Sequence, residues 1–401
     1  MFDASITYES PIALLDEIES AIQSIKIHWD KQQVSDLSNR QNAFECVREI
    51  DNKTVSLIPI IRTPSMLFRG ENKVYDQSTA SSYRSELTER YYLFSLLKVT
   101  EMQLLLKRHP MVSMFKKDYN MVLSLSPLGI AQHYGVKTPL IDFTGDPNIA
   151  MFFATCKYDS ATDSYVPNTD KDKEGIIWIM NPAFVNFFNN GHCFDFPIKA
   201  IGGQPFFRPA RQKGFALWML SPNQTLQNTA GCIPCKFKYT EKDSISFLEK
   251  YKNGDLLWSK NVTDCKASQI ANKNTISREA YDLFLEQSDF SGFLPLLLQK
   301  YGTTFVDLIK TFDITISDES DLFVFSKDEF NQIQKEYSSL SLYYRNDIPK
   351  DPSAEISSRL VSYKLRPLHK DVVFRNISTL YRYSHSALMD MFYLTNQQKK
   401  Q

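Results

Sequence analysis

The stretch QHYGVKTPLIDFTGDPNIAMFFA, residues 132–154, combines a turn, a short strand and the start of a helix. The segment TPLIDFT is typical of a strand that ends in polar residues. Asp146 followed by Pro147 predicts a helix start, because Asp caps helix N-termini and Pro is favoured at the first helical position. Polar side chains at both ends of a strand are common where a sheet presents chemistry. The stretch therefore predicts a functional site on a sheet.

The composition is that of an ordinary soluble globular protein. The 401 residues are 43% hydrophobic and 23% charged, and this length allows two or three domains with a large core. Lys plus Arg and Asp plus Glu number 46 each. This balance does not indicate a broad surface for duplex nucleic acid, although it is compatible with a local basic cleft.

The amino terminus and the cysteines favour a cytoplasmic location. Acidic residues stand in positions 1–20 where a signal peptide has a basic region and an apolar run. No apolar stretch approaches the roughly 18–20 residues that span a bilayer, so no membrane association is expected. Six cysteines in a chain of this length predict reduced thiols. Cys232 and Cys235 lack a second pair at zinc spacing, and no metal site is predicted.

Hydrophobic periodicity predicts the main elements along the chain. Helical spacing indicates a helical segment in residues 11–50, a helix over 84–118 and mostly helix beyond about residue 275. The polar residues 159–175 are expected to form a surface loop. The predicted strands are TVSLIPII (54–61, an edge strand because of Pro59), MLFRG (66–70), GIIWIM (175–180), GFALWML (214–220), CIPCKFKY (232–239) and DLFVFS (321–326). A Pro-rich linker near 349–367 and a helix over about 377–395 complete the chain.

Five short blocks in a fixed order resemble the FRG domain, a bacterial domain named after its Phe/Tyr-Arg-Gly signature. The blocks are LFRGEN (67–72), SSYR (81–84), AQHYG (131–135), TPLIDFTGDPNIAMFFA (138–154) and RQKGFAL (211–217). The long fourth block is specific, whereas an isolated Phe-Arg-Gly tripeptide is not. The resemblance covers about residues 60–240.

Parts of the same blocks are similar to ADP-ribosyltransferases of the Arg-Ser-Glu type. Phe68-Arg69-Gly70 is similar to the Arg-Gly end of their first strand. Phe143-Thr144, with Pro147, Ala150, Phe153 and Ala154, is similar to their second strand and the helix that follows it. Their third strand carries Glu, and its counterpart here is Gln212. This departure leaves catalysis open and bears less on the fold.

The resemblance implies an α+β fold with a mixed or antiparallel β core, similar to an ADP-ribosyltransferase scaffold, between helical extensions. The expected division is a helical amino-terminal extension (1–55), the FRG domain (56–270) and a mostly helical carboxyl-terminal region (271–401). Residues from several strand ends and turns are expected to line one cleft; they are Arg69, Gly70, His133, Tyr134, Asp142, Thr144 and Gln212.

Each candidate residue has a functional and a structural interpretation. The Arg69 guanidinium suits bidentate binding of a pyrophosphate, and Gly70 lets a ligand approach the backbone; the structural alternative for Arg69 is a salt bridge. Asp142 suits ribose hydroxyls or the orientation of Arg69 or His133, and the alternative is an ion pair with Arg69. His133 is either functional or a hydrogen-bonded structural residue.

The remaining candidates are Tyr134 and, from the transferase pattern, Thr144 and Gln212. Tyr134 suits stacking on nicotinamide or a base, although most Tyr side chains simply pack. Thr144 corresponds to the ribose-binding hydroxyl. Asp142 and Thr144 stand at alternate positions and share a strand face. Gln212 takes the place of the carboxylate.

Two functions of different classes remain open. The first is an ADP-ribosyltransferase-like enzyme or NAD glycohydrolase that uses NAD as substrate to modify a macromolecular acceptor in a defence or toxin–antitoxin context. Its transition state would resemble an oxocarbenium ion. The alternative is a non-catalytic sensor that binds a nucleotide or nucleic acid on the same fold. Other nucleotide-binding and hydrolase motifs, such as a phosphate-binding loop with Gly-Lys-Ser/Thr, are absent from the sequence.

Overall fold

The computed structural model describes most of the chain up to residue 345 and two short strands beyond it. The described residues are 2–24, 43–48, 53–60, 66–84, 89–170, 173–182, 185, 198–203, 206–219, 223–258, 261–286, 298–318, 321–345, 363–365 and 375–376. None of the helices in these ranges is both long and apolar enough to span a bilayer.

Strands and helices alternate irregularly along the described chain. The strands are β1 (Thr7–Tyr8), β2 (Ala43–Arg48), β3 (Thr54–Pro59), β4 (Leu67–Glu71), β5 (Val122–Leu123), β6 (Leu140–Thr144), β7 (Cys156–Asp159), β8 (Ser164–Pro167), β9 (Glu174–Met180), β10 (Ile198–Ala200), β11 (Gly214–Trp218), β12 (Cys232–Lys238), β13 (Thr275–Ser277), β14 (Thr315–Ser317), β15 (Ser341–Arg345), β16 (Tyr363–Leu365) and β17 (Arg375–Asn376). The α-helices are α1 (Pro11–Ser24), α2 (Glu89–Arg108), α3 (Pro110–Tyr119), α4 (Pro127–His133), α5 (Pro147–Thr155), α6 (Phe207–Arg211), α7 (Glu241–Lys250), α8 (Asp255–Trp258), α9 (Val262–Asn272), α10 (Arg278–Glu286), α11 (Phe305–Thr311) and α12 (Lys327–Ser338).

The main sheet has seven strands in the order β1-β12-β9-β4-β6-β11-β10. Neighbouring strands are antiparallel except at one edge, where β1 runs parallel to β12. The expected α+β class with a mixed β core is confirmed. The predicted strands at residues 66–70, 175–180, 214–220 and 232–239 correspond to β4, β9, β11 and β12 of this sheet.

The main sheet separates between the adjacent strands β4 and β6. β4 pairs with β9 at five positions, and β6 pairs with β11 at five positions. Every residue of β4 and β6 is described, yet these two strands pair with each other at one position, Phe68 opposite Thr144. The sheet is therefore joined at this point and opens on one side of it.

Two helical layers pack on the sheet. α5 and α1 cover the β4, β9 and β12 half through a cluster that contains Leu14, Ile18, Phe68, Ala150 and Phe237. Helices α2, α4, α9, α10 and α11 surround a larger cluster, which reaches the other half of the sheet through Leu140 of β6 and Ala216 of β11. Burial of these apolar side chains is the main stabilising contribution.

A second sheet has the strand order β16-β15-β2-β3-β5, with β17 also paired to β2. Its core brings together Phe44, Val55 and Leu57 from the strands with Phe115 of α3 and Ala210 of α6. β2 pairs with β3 from Val55 to Pro59, whereas β5 pairs with β3 at residues 54 and 55. The edge position expected for this segment therefore holds around Pro59 and not at its start.

Several sequence-based expectations for local structure are wrong. Residues 1–55 are not simply helical, because α1 ends at Ser24 and β1 and β2 belong to the two sheets. The helix expected over 84–118 is divided at His109, whose backbone is extended and whose ring caps α3 ahead of Pro110. Residues 159–175 contain β8, which forms a hairpin with β7.

The structure contradicts two of the expectations for the carboxyl-terminal region. Residues 321–323 form a 3₁₀ turn where a strand was expected, and the capping box of Ser326 and Glu329 starts α12 directly afterwards. Residues 363–365, inside the predicted linker, form β16. The rest of that linker and the helix expected over 377–395 lie outside the described residues.

Candidate active site

A cleft of about 1110 Å³ lies where β4 and β6 separate. Residues of both strands line it, together with the end of α4, the β7–β8 hairpin, α6 and α8. All seven residues predicted from the sequence line this one cleft: Arg69, Gly70, His133, Tyr134, Asp142, Thr144 and Gln212. Their placement in one cleft is therefore as expected, and the contacts of each side chain define its available chemistry.

Arg69 is held by a carboxylate and a backbone carbonyl. Its Nε donates to Glu71 Oε1 at 2.9 Å, and Nη1 donates to the carbonyl oxygen of Asp142 at 3.1 Å. The second bond crosses from β4 to β6 where the strands no longer pair. The salt bridge expected as the structural alternative exists, but its partner is Glu71 rather than the Asp142 carboxylate.

Arg69 and Thr144 enter the cleft from different faces of the sheet. Phe68 pairs with Thr144, and residues paired across a ladder point to the same face. Arg69, one residue on from Phe68, therefore starts on the opposite face. Both residues nevertheless belong to the lining of the same cleft.

Gly70 is required by helix packing. A Cβ atom at this position would lie 1.8 Å from the carbonyl oxygen of Ala150 and 2.8 Å from the backbone nitrogen of Ala154. The backbone of α5 thus occupies the space beside Gly70. The sequence-based interpretation, that Gly70 admits a ligand to the backbone, misses this packing role.

His133 and Asp142 form a loosely coupled pair in the cleft. His133 Nε2 lies 3.9 Å from Asp142 Oδ1, and neither atom has a hydrogen-bond partner among the described residues. Burial lowers the pKa of His133, although the Asp142 carboxylate partly opposes this effect. The ring is therefore neutral near pH 7. Asp142 lines the cleft with a side chain that is one-third exposed, although its unpartnered Oδ1 is buried.

Thr144 and Gln212 are engaged with each other and with the backbone. Thr144 Oγ1 donates to the carbonyl oxygen of Gln212 at 2.6 Å and accepts from the backbone N–H of Asp146 at 3.2 Å. Gln212 Nε2 donates to the carbonyl oxygen of Leu257 at 3.3 Å. Gln212 was expected on a third strand, but it is the cap residue after α6, just before β11.

An aromatic wall on one side of the cleft was not predicted. It comprises Phe153, Tyr158, Tyr165 and Trp258, and the ring centre of Trp258 lies 5.2 Å from Tyr165 and 5.6 Å from Tyr158. Tyr158 remains substantially exposed. These residues come from α5, the β7–β8 hairpin and α8, so no local motif joins them.

Arg208 lies against this wall and was also missed. Its guanidinium carbon lies 3.8 Å from the centre of the Trp258 ring and 4.8 Å from that of Tyr134. It is four residues before Gln212, outside the fifth block of sequence resemblance. The adjacent stretch FRPAR alone contains no signal of a cleft residue.

Residues 64–163 match the FRG domain. The chain contains an FRG domain. The matched residues include β4, β6 and six of the seven predicted site residues, whereas Gln212 lies beyond them. No curated protein and no solved structure matches the chain.

Residues outside the matched FRG segment complete the cleft. Asp264 of α9 accepts from the backbone N–H groups of Phe207 and Arg208, at 3.1 and 3.4 Å, and so holds the start of α6. Burial raises the pKa of Asp264 to about 7. On the FRG side, Glu71 Oε2 accepts from Trp178 Nε1 and Ser78 Oγ, which fixes the carboxylate that pairs with Arg69.

The described residues contain no group of three or more His, Cys, Asp or Glu arranged to hold a metal ion. Cys232 and Cys235 are free thiols. Cys235 belongs to the cluster under α1 and α5, whereas Cys232 packs against the cluster on the opposite face of the main sheet. Burial raises the pKa of both thiols to about 12, so neither is a reactive thiolate near neutral pH.

Proposed function

We propose that the FRG-domain cleft binds a nucleotide and that NAD is its candidate ligand. The observation that carries this proposal is the aromatic wall beside a buried arginine in a single cleft. Aromatic rings stack on nucleobases with about 1–3 kcal/mol per base, and guanidinium groups bind phosphoryl oxygens. The half-exposed ring of Tyr158 is the most accessible stacking surface of this wall.

The size and charge of the cleft support this proposal. Pockets for small molecules and cofactors typically measure about 300–1,000 Å³, and about 1110 Å³ accommodates a dinucleotide. Four basic side chains (Arg69, Arg84, Lys157, Arg208) and three acidic side chains (Glu71, Asp142, Asp163) line it. The lining thus has a small excess of positive charge, in a chain whose overall charge is neutral.

A second candidate function is cleavage of the nicotinamide–ribose bond of NAD, with transfer to water or to a macromolecular acceptor. The partly exposed carboxylate of Asp142 in the cleft lining favours it. In this reaction the bonding electrons leave with nicotinamide, and positive charge develops on the ribose. A carboxylate in a partly dry cleft stabilises that charge. His133, whose pKa is lowered by burial, adds no positive charge beside it near pH 7.

The catalytic candidate differs from the transferase pattern in its carboxylate. Gln212 supplies no charge, and its amide is bonded to the Leu257 carbonyl. The Thr144 hydroxyl donates to a backbone carbonyl, so it can only accept from a ribose hydroxyl. We therefore assign the charge-stabilising role to Asp142. If Asp142 has no such role, the proposed function is that of a nucleotide sensor without catalysis.

Calorimetric titration with NAD, combined with nicotinamide release followed by mass spectrometry, tests both candidates. Binding of NAD should weaken about tenfold in Tyr158→Leu, which removes about 1.4 kcal/mol of stacking. Trp218→Leu is the matched control, because Trp218 is similarly exposed but does not line the cleft. Absence of NAD binding would contradict the proposed ligand.

Asp142→Asn separates binding from cleavage. If the enzyme candidate is correct, this variant binds NAD but releases nicotinamide at least about a hundredfold more slowly, equivalent to about 2.7 kcal/mol at the transition state. The release assay should include protein and nucleic-acid acceptors. Binding without nicotinamide release in the unmodified protein would leave the sensor function as the conclusion.

A further inference from the structure

Arg208 lines the cleft and has an unpartnered edge, although the residue is only 3% exposed. Its Nη1 donates to the carbonyl oxygen of His133 at 3.2 Å. Nε and Nη2 have no hydrogen-bond partner among the described residues. These two nitrogens form the side of a guanidinium that binds an oxyanion through parallel N–H groups. A buried donor without an acceptor is costly, which favours binding of an acceptor at this edge.

The guanidinium of Arg208 is held in position before any ligand binds. The rings of Trp258 and Tyr134 pack against it, and Asp264 fixes the backbone at the start of α6. Such support lowers the entropy that a long side chain loses on binding. The guanidinium is therefore held in a defined position where Arg208 lines the cleft.

A second unpartnered donor belongs to Tyr134, whose ring centre lies 4.8 Å from the guanidinium carbon of Arg208. The Tyr134 hydroxyl is buried and has no hydrogen-bond partner among the described residues. By contrast, Arg69 already uses Nε and Nη1 for Glu71 and for the Asp142 carbonyl. Arg208 and Tyr134 thus offer more unused donors than the arginine of the Phe-Arg-Gly signature.

We propose that Arg208 and Tyr134 form a subsite that binds a phosphoryl group of the ligand. This inference rests on the proposed nucleotide-binding function and assigns its phosphate recognition to residues outside the Phe-Arg-Gly signature. Arg208 supplies a two-point contact and Tyr134 supplies a hydroxyl donor. The bound oxyanion accepts hydrogen bonds that these buried groups otherwise lack.

Asp163 is the acidic group that competes with such an anion. Its Oδ2 lies 3.8 Å from Arg208 Nη2, too far for a hydrogen bond. Its Oδ1 accepts from the Tyr158 hydroxyl at 2.9 Å and from Trp258 Nε1 at 3.1 Å. An amide oxygen can accept the same two bonds, so Asp163→Asn removes the charge and preserves these contacts.

Calorimetric titration with inorganic pyrophosphate, AMP and adenosine tests the subsite. We expect AMP to bind at least about tenfold more tightly than adenosine. Arg208→Gln should abolish this preference, and Tyr134→Phe should reduce it about threefold to tenfold. Asp163→Asn should increase the affinity for AMP and pyrophosphate without strengthening adenosine binding. Circular dichroism establishes that each variant is folded.

The outcomes distinguish the subsite from the proposed function. Equal affinities for AMP and adenosine, or no binding of AMP and pyrophosphate, would overturn the subsite. If Tyr134→Phe and Asp163→Asn both keep the preference of the unmodified protein for AMP over adenosine, the subsite is also overturned. This test remains available even if Arg208→Gln fails to fold. Pyrophosphate binding that depends on Arg208, without binding of adenosine or NAD, would support the anion subsite but refute the nucleotide function.

Discussion

Gln212 connects three segments that meet at the cleft. Its carbonyl oxygen accepts from Thr144 of β6, its backbone N–H donates to the Arg208 carbonyl of α6, and its side-chain amide donates to the Leu257 carbonyl of α8. The side chain is buried. An amide suits this position because it can donate to a carbonyl, which a carboxylate near neutral pH cannot do.

We predict that Gln212→Glu lowers the free energy of unfolding by about 1–3 kcal/mol at pH 7. The substitution replaces the donor to Leu257 with a buried negative charge facing a carbonyl oxygen. Urea denaturation measures the difference. Gln212→Met is the control for loss of the hydrogen bond without added charge, and it should be the more stable of the two variants. A Gln212→Glu protein as stable as the unmodified chain would show that the amide bond to Leu257 contributes little.

The sequence locates the residues of the Phe-Arg-Gly and His-Tyr-Gly blocks because they stand at strand ends and turns next to recognisable elements. Their contacts are not local. The partner of Arg69 is two residues away, but its position opposite Asp142 depends on how β4 and β6 separate. Arg208 and Trp258 meet through the packing of two short helices, which periodicity does not reveal.

At the level of elements, α5 packs closely against β4 in the FRG domain. Gly70 allows the backbone of α5 to approach the strand that carries Arg69. Asp146 caps this helix by accepting from the N–H of Asn148 at 3.0 Å, as the Asp-Pro pair predicts. The helix start was therefore predictable, whereas the close approach depends on the tertiary position of α5.

We predict that Gly70→Ala costs about 3 kcal/mol or more of unfolding free energy. The added Cβ meets backbone atoms of α5, which cannot move aside as a flexible side chain can. Urea denaturation and the yield of soluble protein measure the effect. Gly135→Ala is the control, because Gly135 has φ +91° but nothing within 4 Å of an added Cβ. Its cost should be about 1–2 kcal/mol, from the left-handed backbone alone. An equal or smaller loss in Gly70→Ala would contradict the packing argument.

His109 interrupts the α2–α3 helical region through its ring and the following Pro110. Its Nδ1 accepts from the Met111 N–H at 3.2 Å, so Nε2 carries the proton and donates to Thr263 Oγ1 at 2.7 Å. The spacing of apolar residues is the same on both sides of the break, and a period-based prediction extends one helix across it. The Pro110 ring and this buried capping interaction explain the actual boundary.

We predict that His109 makes the protein less stable as the pH falls below about 6.5. Burial lowers its pKa to about 3, so the unfolded chain binds a proton in this range before the folded chain does. The unfolding free energy should therefore fall by about 2 kcal/mol between pH 6.5 and about pH 5 because of this residue. His109→Asn keeps a capping side chain and should remove that part of the pH dependence. Thr263→Val, which does not titrate, should retain it; equal pH slopes in all three proteins would contradict the assignment.

Across the whole molecule, residues outside the matched FRG segment support its cleft. The core of the second sheet includes Leu57 of β3 and Ala210 of α6, the helix that carries Arg208. Gly203, which follows β10 of the main sheet, also packs against the Leu57 backbone. Sequence periodicity predicted several of the strands, and the family resemblance implied the α+β class. Strand order, however, depends on pairings such as β2 with β15, almost three hundred residues apart. Such pairings leave no local signal.

We predict that the two sheets unfold as one cooperative unit and that Leu57→Ala destabilises both. The substitution removes a buried side chain from the core shared with α6, at a cost of about 2–5 kcal/mol. Urea unfolding followed by far-ultraviolet circular dichroism and by tryptophan fluorescence should shift to the same lower midpoint, because Trp178 lies in the main sheet and Trp258 beside the cleft. Val122→Ala, at an exposed position of β5, should leave the midpoint nearly unchanged. A circular dichroism transition that shifts while the fluorescence transition does not would mean that the second sheet unfolds independently and does not support α6.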